Sequence, residues 1–84
     1  MTRQEIADIY GDELLFLDPE KFDACIIGVA TRCGLPPSVV YDRARIANMF
    51  IDEGMTFEEA DEYISYNIEG AYVGENTPLI MEGV

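Results

Sequence analysis

Gly54 and Thr56 lie two positions apart in IDEGMTFEEA, and this short stretch constrains the fold more than any other. Gly54 is a natural end for a helix opened by Asp42, because glycine accepts the left-handed backbone that closes a helix C-terminus. Thr56, with Glu59 three residues later, is a capping box, and Met55 and Ala60 are placed as its hydrophobic staple. One helix must stop and another begin within a few residues, so the two fold back on each other as an αα-hairpin. The first, running to about Glu53, carries Ile46, Ala47, Met49, Phe50 and Ile51 as a broad apolar face.

Upstream, Thr2 and Glu5 form another capping box opening a short helix that Gly11 stops. LLFL then leads into Asp18-Pro19, a further helix-start signal. CIIGVAT, over residues 25–31, is β-branched and apolar with an internal glycine, which suits a buried strand better than a helix. Helix remains an alternative for residues 22–33. Gly34-Leu35-Pro36-Pro37 reads as a turn, because two prolines forbid helix and force extended backbone before them. SVVY is then a second strand, antiparallel to the first. In the tail, AYV and PLIM flank a GEN turn; either offers a third strand, with Pro78 confined to an edge or a strand start. The expected fold is α+β: one small domain over residues 1–84, a β-hairpin with three strands as an option, packed against the αα-hairpin.

The length suits a single modest core. Apolar residues are 49% of the 84 and charged residues 26%, a globular balance. No apolar run approaches the roughly 18 residues of a membrane span, and MTRQEIADIYGDE lacks the plan of a secretory leader. Cys25 and Cys33 read most simply as reduced, partly buried thiols of a cytosolic protein, a bridge between them being an alternative that requires their backbones to come close.

Catalytic readings fare poorly. There is no histidine, hence no Ser-His or Cys-His pair, and two cysteines fall short of a zinc site. No phosphate loop, dinucleotide fingerprint or calcium ladder occurs. The expectation is a non-enzymatic protein without cofactor or metal.

Charge is the functional lead. The net charge is −12, which disfavours unaided binding to nucleic acid or an anionic membrane and favours a basic partner. All the bases, Arg3, Lys21, Arg32, Arg43 and Arg45, precede residue 46; the nine acids after it meet none. FEEADEYISYNIEG, residues 57–70, has five carboxylates and no cation, although interleaved signs would stabilise a helix better. On a wheel, Phe57, Ala60, Tyr63, Ile64, Asn67 and Ile68 gather on one side, and Glu58, Asp61, Glu62, Ser65, Tyr66 and Glu69 on the other. The dipole accounts for Glu58 and Glu59 in the first turn, but not for Asp61, Glu62 and Glu69. Tyr41 and Tyr63 read as core aromatics with surface hydroxyls, whereas Tyr66, amid carboxylates, is a candidate contact.

A solvated face that keeps a small protein soluble is the plain explanation of this stripe. The sharper one is mimicry. Carboxylates at 58, 62 and 69 ascend by about 6 Å and then about 10 Å, a row able to occupy Lys/Arg sites that clamp a nucleic-acid backbone. Glu58, Asp61, Glu62 and Glu69, with Tyr66, are the expected principal contacts, and Asp52, Glu53 and Glu75 the rim. The competing expectation is a small assembly protein that homo-oligomerises through its apolar tail, AYVGENTPLIM.

Cys-Ile-Ile-Gly at 25–28, Val-Tyr-Asp at 40–42, Gly-Met-Thr at 54–56, Asn67, Gly-Ala-Tyr-Val-Gly-Glu at 70–75 and Thr77-Pro78 form a pattern. It resembles a group of short proteins encoded by tailed phages and prophages, over roughly residues 16–80. The resemblance implies a phage-borne protein acting in bacterial cytoplasm, and by analogy an inhibitor of a host or defence enzyme. It brings no activity with it.

Overall fold

The computed structural model describes residues 2–11, 14–17, 20–70 and 77–83. Its elements run α1 (Arg3–Tyr10), a 3-10 helix (Glu20–Cys25), β1 (Ile26–Arg32), β2 (Leu35–Asp42), α2 (Arg43–Asp52), α3 (Phe57–Tyr63), a π-helical continuation of α3 (Ile64–Glu69) and β3 (Leu79–Met81). The fold is α+β, with a three-stranded sheet in the order β1-β2-β3.

Local signals place the helices. Thr2 caps α1 by accepting the Glu5 N–H, and Gly11 ends it at φ 96°. Asp42 caps α2 by accepting the Ala44 N–H, and Gly54 follows its end at φ 109°. The Thr56–Glu59 capping box is complete in both directions. Asp18-Pro19 lies outside the described residues. The 22–33 stretch, open between strand and helix in the sequence, divides after Cys25: a 3-10 helix runs through Cys25 and strand begins at Ile26.

The hairpin is antiparallel as expected, but its turn is shorter than the sequence suggests. β1 ends at Arg32 and β2 begins at Leu35, leaving Cys33 and Gly34 as the turn, with Gly34 at φ 82°. Both prolines therefore sit inside β2. Between Ala30↔Ser38 and Arg32↔Leu35 the register slips by one residue on β2, a bulge over Pro36-Pro37. Proline has no N–H to offer the ladder, so a bulge is where a strand accommodates it. β1 has its own slip between Ile26 and Gly28. Val39 and Tyr41, two apart, share one face of β2. The β1 slip lets Ile26 oppose Tyr41 and Val29 oppose Val39 although they are three apart. Without it, one of the two would point away from the core.

β3 pairs parallel to β2, Val40↔Leu79 through Asp42↔Met81, and Pro78 stands just before it. Parallel neighbours need a crossover, which α2, α3 and the π-helix supply. One core unites the layers: Ile6, Leu14, Phe22, Cys25, Ile26, Val39, Tyr41, Ile46, Ala47, Phe50, Ala60 and Ile64 are all buried.

Several expectations need correction. Tyr41 is 0% exposed, with its hydroxyl accepting the Leu17 N–H at 2.9 Å, so the hydroxyl faces the interior. Phe57 is 68% exposed and Ile51 also lies open, so the apolar faces of both helices are narrower than the wheel drew them. Cys33, in the turn, is exposed rather than partly buried; both thiols are free.

Candidate functional site

The acidic helix is aimed by its cap. Thr56 Oγ1 accepts the Glu59 N–H at 3.2 Å, and Glu59 Oε1 accepts the Thr56 N–H at 3.0 Å. Ala60 and Ile64 are buried in the core, where this helix packs on α2, and Ile68 is half-buried beside them. The Asn67 amide donates to the Tyr63 carbonyl at 3.3 Å within the widened turn.

Arg43, the first residue of α2, reaches across to this helix with its side chain only 13% exposed. Its Nη1 meets Asp61 Oδ1 at 2.9 Å and its Nε meets Glu69 Oε1 at 2.6 Å. Nη2 donates to the Asp61 carbonyl at 3.3 Å and to Ser65 Oγ at 3.1 Å. In an α-helix each fourth residue advances by about 40°, so positions 61, 65 and 69 would fan out by about 80°. The wider π turn takes more residues per revolution. Ser65 to Glu69 then falls short of a full circle, and Glu69 returns to the guanidinium. The hydrogen bond to Glu69, then that to Asp61, holds Arg43 above its ordinary pKa against the opposing effect of burial.

This arrangement corrects the sequence-derived stripe. Asp61 and Glu69 are both paired with the chain's own Arg43, which lies 18 and 26 positions away and meets them only through the αα-hairpin; its one positive charge leaves the trio at −1. Glu53 is likewise paired, with Lys21 Nζ at 2.9 Å. Arg3 pairs with Asp23 at 2.8 Å, and Arg45 more loosely with Asp42 at 3.6 Å. Glu75 lies outside the described residues. What remains open is a smaller set: among the described residues, Asp52, Glu58 and Glu62 are exposed and form no ion pair or side-chain hydrogen bond. Tyr66, beside Glu62 on the next turn, is 79% exposed.

A shallow groove of about 340 Å³ runs along the same helix, lined by Met55, Glu59, Glu62, Tyr63, Tyr66 and Asn67. Their spacing follows one seam at the border of the helix's apolar and acidic sides, a border the wheel divided between two faces. Tyr63 is fixed in it by an edge contact with Phe50, centroids 5.0 Å apart at 64°. The sequence signal for the groove was the Tyr63–Tyr66 pair next to Glu59 and Glu62. Its concavity was not readable without the Met55 turn.

Cys25 is buried, and burial raises its thiol pKa, the opposite of what an attacking thiolate needs. Among the described residues no cluster of His, Cys, Asp or Glu is placed to hold a metal, and no helix is long and apolar enough to cross a membrane. No family model matches the chain, and neither a curated protein nor a solved structure does.

Proposed function

We propose that this is a non-enzymatic acidic protein that docks on, and blocks, a basic protein surface, of the kind that handles nucleic acid. The observation that carries the reading is the pair Glu58 and Glu62, one turn apart, exposed and unpaired among the described residues, with Tyr66 beside them. Like charges one turn apart cost a helix about 0.2–0.5 kcal/mol, and a cationic partner reverses the sign of that term. The net charge of −12 adds long-range attraction to such a partner. The principal contacts are Glu58, Glu62 and Tyr66, with Asp52 at the rim. Asp61 and Glu69, already paired, contribute packing rather than docking. The resemblance to tailed-phage proteins favours bacterial cytoplasm as the place of action and a host or defence enzyme as the target.

Capture from bacterial lysate tests this. The tagged protein should retain a basic nucleic-acid-binding protein at low salt and release it at high salt, and Glu58→Lys with Glu62→Lys should abolish capture. Retention indifferent to salt, or to the double substitution, contradicts the proposal.

A second reading, self-association through the C-terminal segment, draws on Leu79 and Met81. Both are about half exposed on β3, an edge strand. Sedimentation of the intact protein and of Leu79→Ser with Met81→Ser separates the readings: a dimer that the substitutions dissociate favours assembly, and a monomer in both removes it.

A further inference from the structure

Two of the chain's own cations are held in one recurring way. The Arg3 guanidinium lies 5.0 Å from the Phe16 ring centroid while bonding the Asp23 carboxylate at 2.8 Å. The Lys21 ammonium lies 5.9 Å from the Phe22 centroid and 5.7 Å from that of Phe50 while bonding Glu53 at 2.9 Å. In each case a ring face and a carboxylate share one positive group, which gains from both the ring quadrupole and the ion pair. The groove on the acidic helix repeats the ingredients, with Tyr63 and Tyr66 as rings and Glu59 and Glu62 as carboxylates. No lysine or arginine is among the residues that line it. Glu59 uses one oxygen on the Thr56 N–H, and Glu62 has no partner among the described residues.

We infer that this groove is the receptor for one basic side chain, an arginine or a lysine, presented by the partner protein. The inference rests on the basic-surface reading and adds a specific anchor to it. Charge alone would spread affinity over every exposed acid. Rings beside the carboxylates concentrate it at one place, since Tyr63 is already positioned by Phe50 and Glu59 by its cap, so closing around a cation requires ordering only Glu62 and Tyr66. Arginine gains more than lysine, because a planar guanidinium stacks on a ring while its edge bonds carboxylates.

The test is a nuclear magnetic resonance titration of the full chain with three capped tripeptides, acetyl-Gly-X-Gly-amide, where X is arginine, lysine or citrulline. The arginine peptide should give saturable shifts at the Met55 methyl and the Tyr63 and Tyr66 rings, the lysine peptide weaker ones, and citrulline, neutral but of the same shape, none that saturate. Tyr66→Ala should weaken the arginine peptide by about two- to fivefold, Glu62→Gln should weaken it as well, and Glu58→Gln should leave it unchanged. Equal binding of citrulline, or shifts spread evenly over Asp52, Glu58 and Glu82, overturns the anchor. So do peptide-independent, concentration-dependent shifts abolished by Arg45→Gln, which would assign the groove to a second copy. The two proposals fail separately. Peptide binding without capture from lysate leaves the anchor standing and removes the blocking role. Capture that is lost with Glu58→Lys but survives Tyr66→Ala, in a protein that does not discriminate the arginine peptide from citrulline, keeps the basic-surface reading and removes the anchor.

Discussion

Arg43 Nε bonds Glu69 Oε1 at 2.6 Å, tying the first residue of α2 to the last of the π-helical turn. The same guanidinium engages Asp61 and Ser65, so one side chain fixes the acidic helix against its neighbour. Arg43→Gln should therefore destabilise the fold by about 1–3 kcal/mol, the span for losing charge-assisted and buried hydrogen bonds. The lower value is favoured because Asp61 and Glu69 stand partly in solvent. Arg43→Lys should recover only part, since a single ammonium cannot serve three side chains and a carbonyl. Urea unfolding of the three proteins decides it; equal midpoints would make the clamp decorative.

Tyr41 gives a pH-dependent prediction. Burial, its largest influence, raises the phenol above the usual 10.0, although the Leu17 N–H pulls the other way. Burial likewise raises the Cys25 thiol above 9.0. Both groups are neutral when folded, and the unfolded chain loses its protons first as pH rises. Stability is thus whole below about pH 9 and falls as pH climbs past the unfolded values of about 9 and then about 10. Tyr41→Phe should cost about 1–3 kcal/mol at neutral pH, by leaving the Leu17 N–H without its acceptor. It should also flatten the alkaline decline above pH ~10. Urea midpoints from neutral to alkaline pH check both parts, and a variant that declines as steeply as the wild type refutes the second.

Phe50 packs edge-on to Phe22, centroids 5.8 Å apart, and to Tyr63 at 5.0 Å. Phe50→Ala should cost about 3–5 kcal/mol. Small domains have about 5–15 kcal/mol in all, so this variant should be near the edge of folding. Phe50→Leu should fold but release the Tyr63 ring, seen as loss of near-ultraviolet circular dichroism. An unchanged tyrosine signal would show that Tyr63 is positioned by something else.

Gly54, at φ 109°, holds the backbone that lets Met55 and Thr56 begin the next helix. Adding a side chain there meets no neighbouring atom, so any penalty is backbone strain alone. Gly54→Ala should cost about 1–2 kcal/mol, and thermal melts that coincide with the wild type would exclude strain at this turn.

What the sequence disclosed follows the range of each interaction. Caps at Thr2, Asp42 and Thr56, and stops at Gly11 and Gly54, act over a few residues, and all stand where their local chemistry puts them. The prolines misled because Pro36-Pro37 signals broken pairing, which a bulge inside β2 satisfies as well as a turn. The acidic stripe misled more deeply. A wheel at a constant 100° has no place for the π turn from Ile64, and a helix read alone does not show that Arg43 will arrive from another element. The groove stayed hidden for the same reason, since its walls come from both sides of the wheel and from Met55 before the helix begins.

The most direct measurement compares two double substitutions against the partner captured from lysate at low salt. Glu58→Gln with Glu62→Gln removes the open carboxylates, and Asp61→Asn with Glu69→Gln removes the pair held by Arg43. The account predicts that the first set weakens binding at least about tenfold, worth about 1.4 kcal/mol, with the unfolding midpoint unchanged. The second should lower the midpoint and leave the folded protein's affinity within about twofold. Binding lost with the second set and kept with the first would contradict the assignment of docking to Glu58 and Glu62.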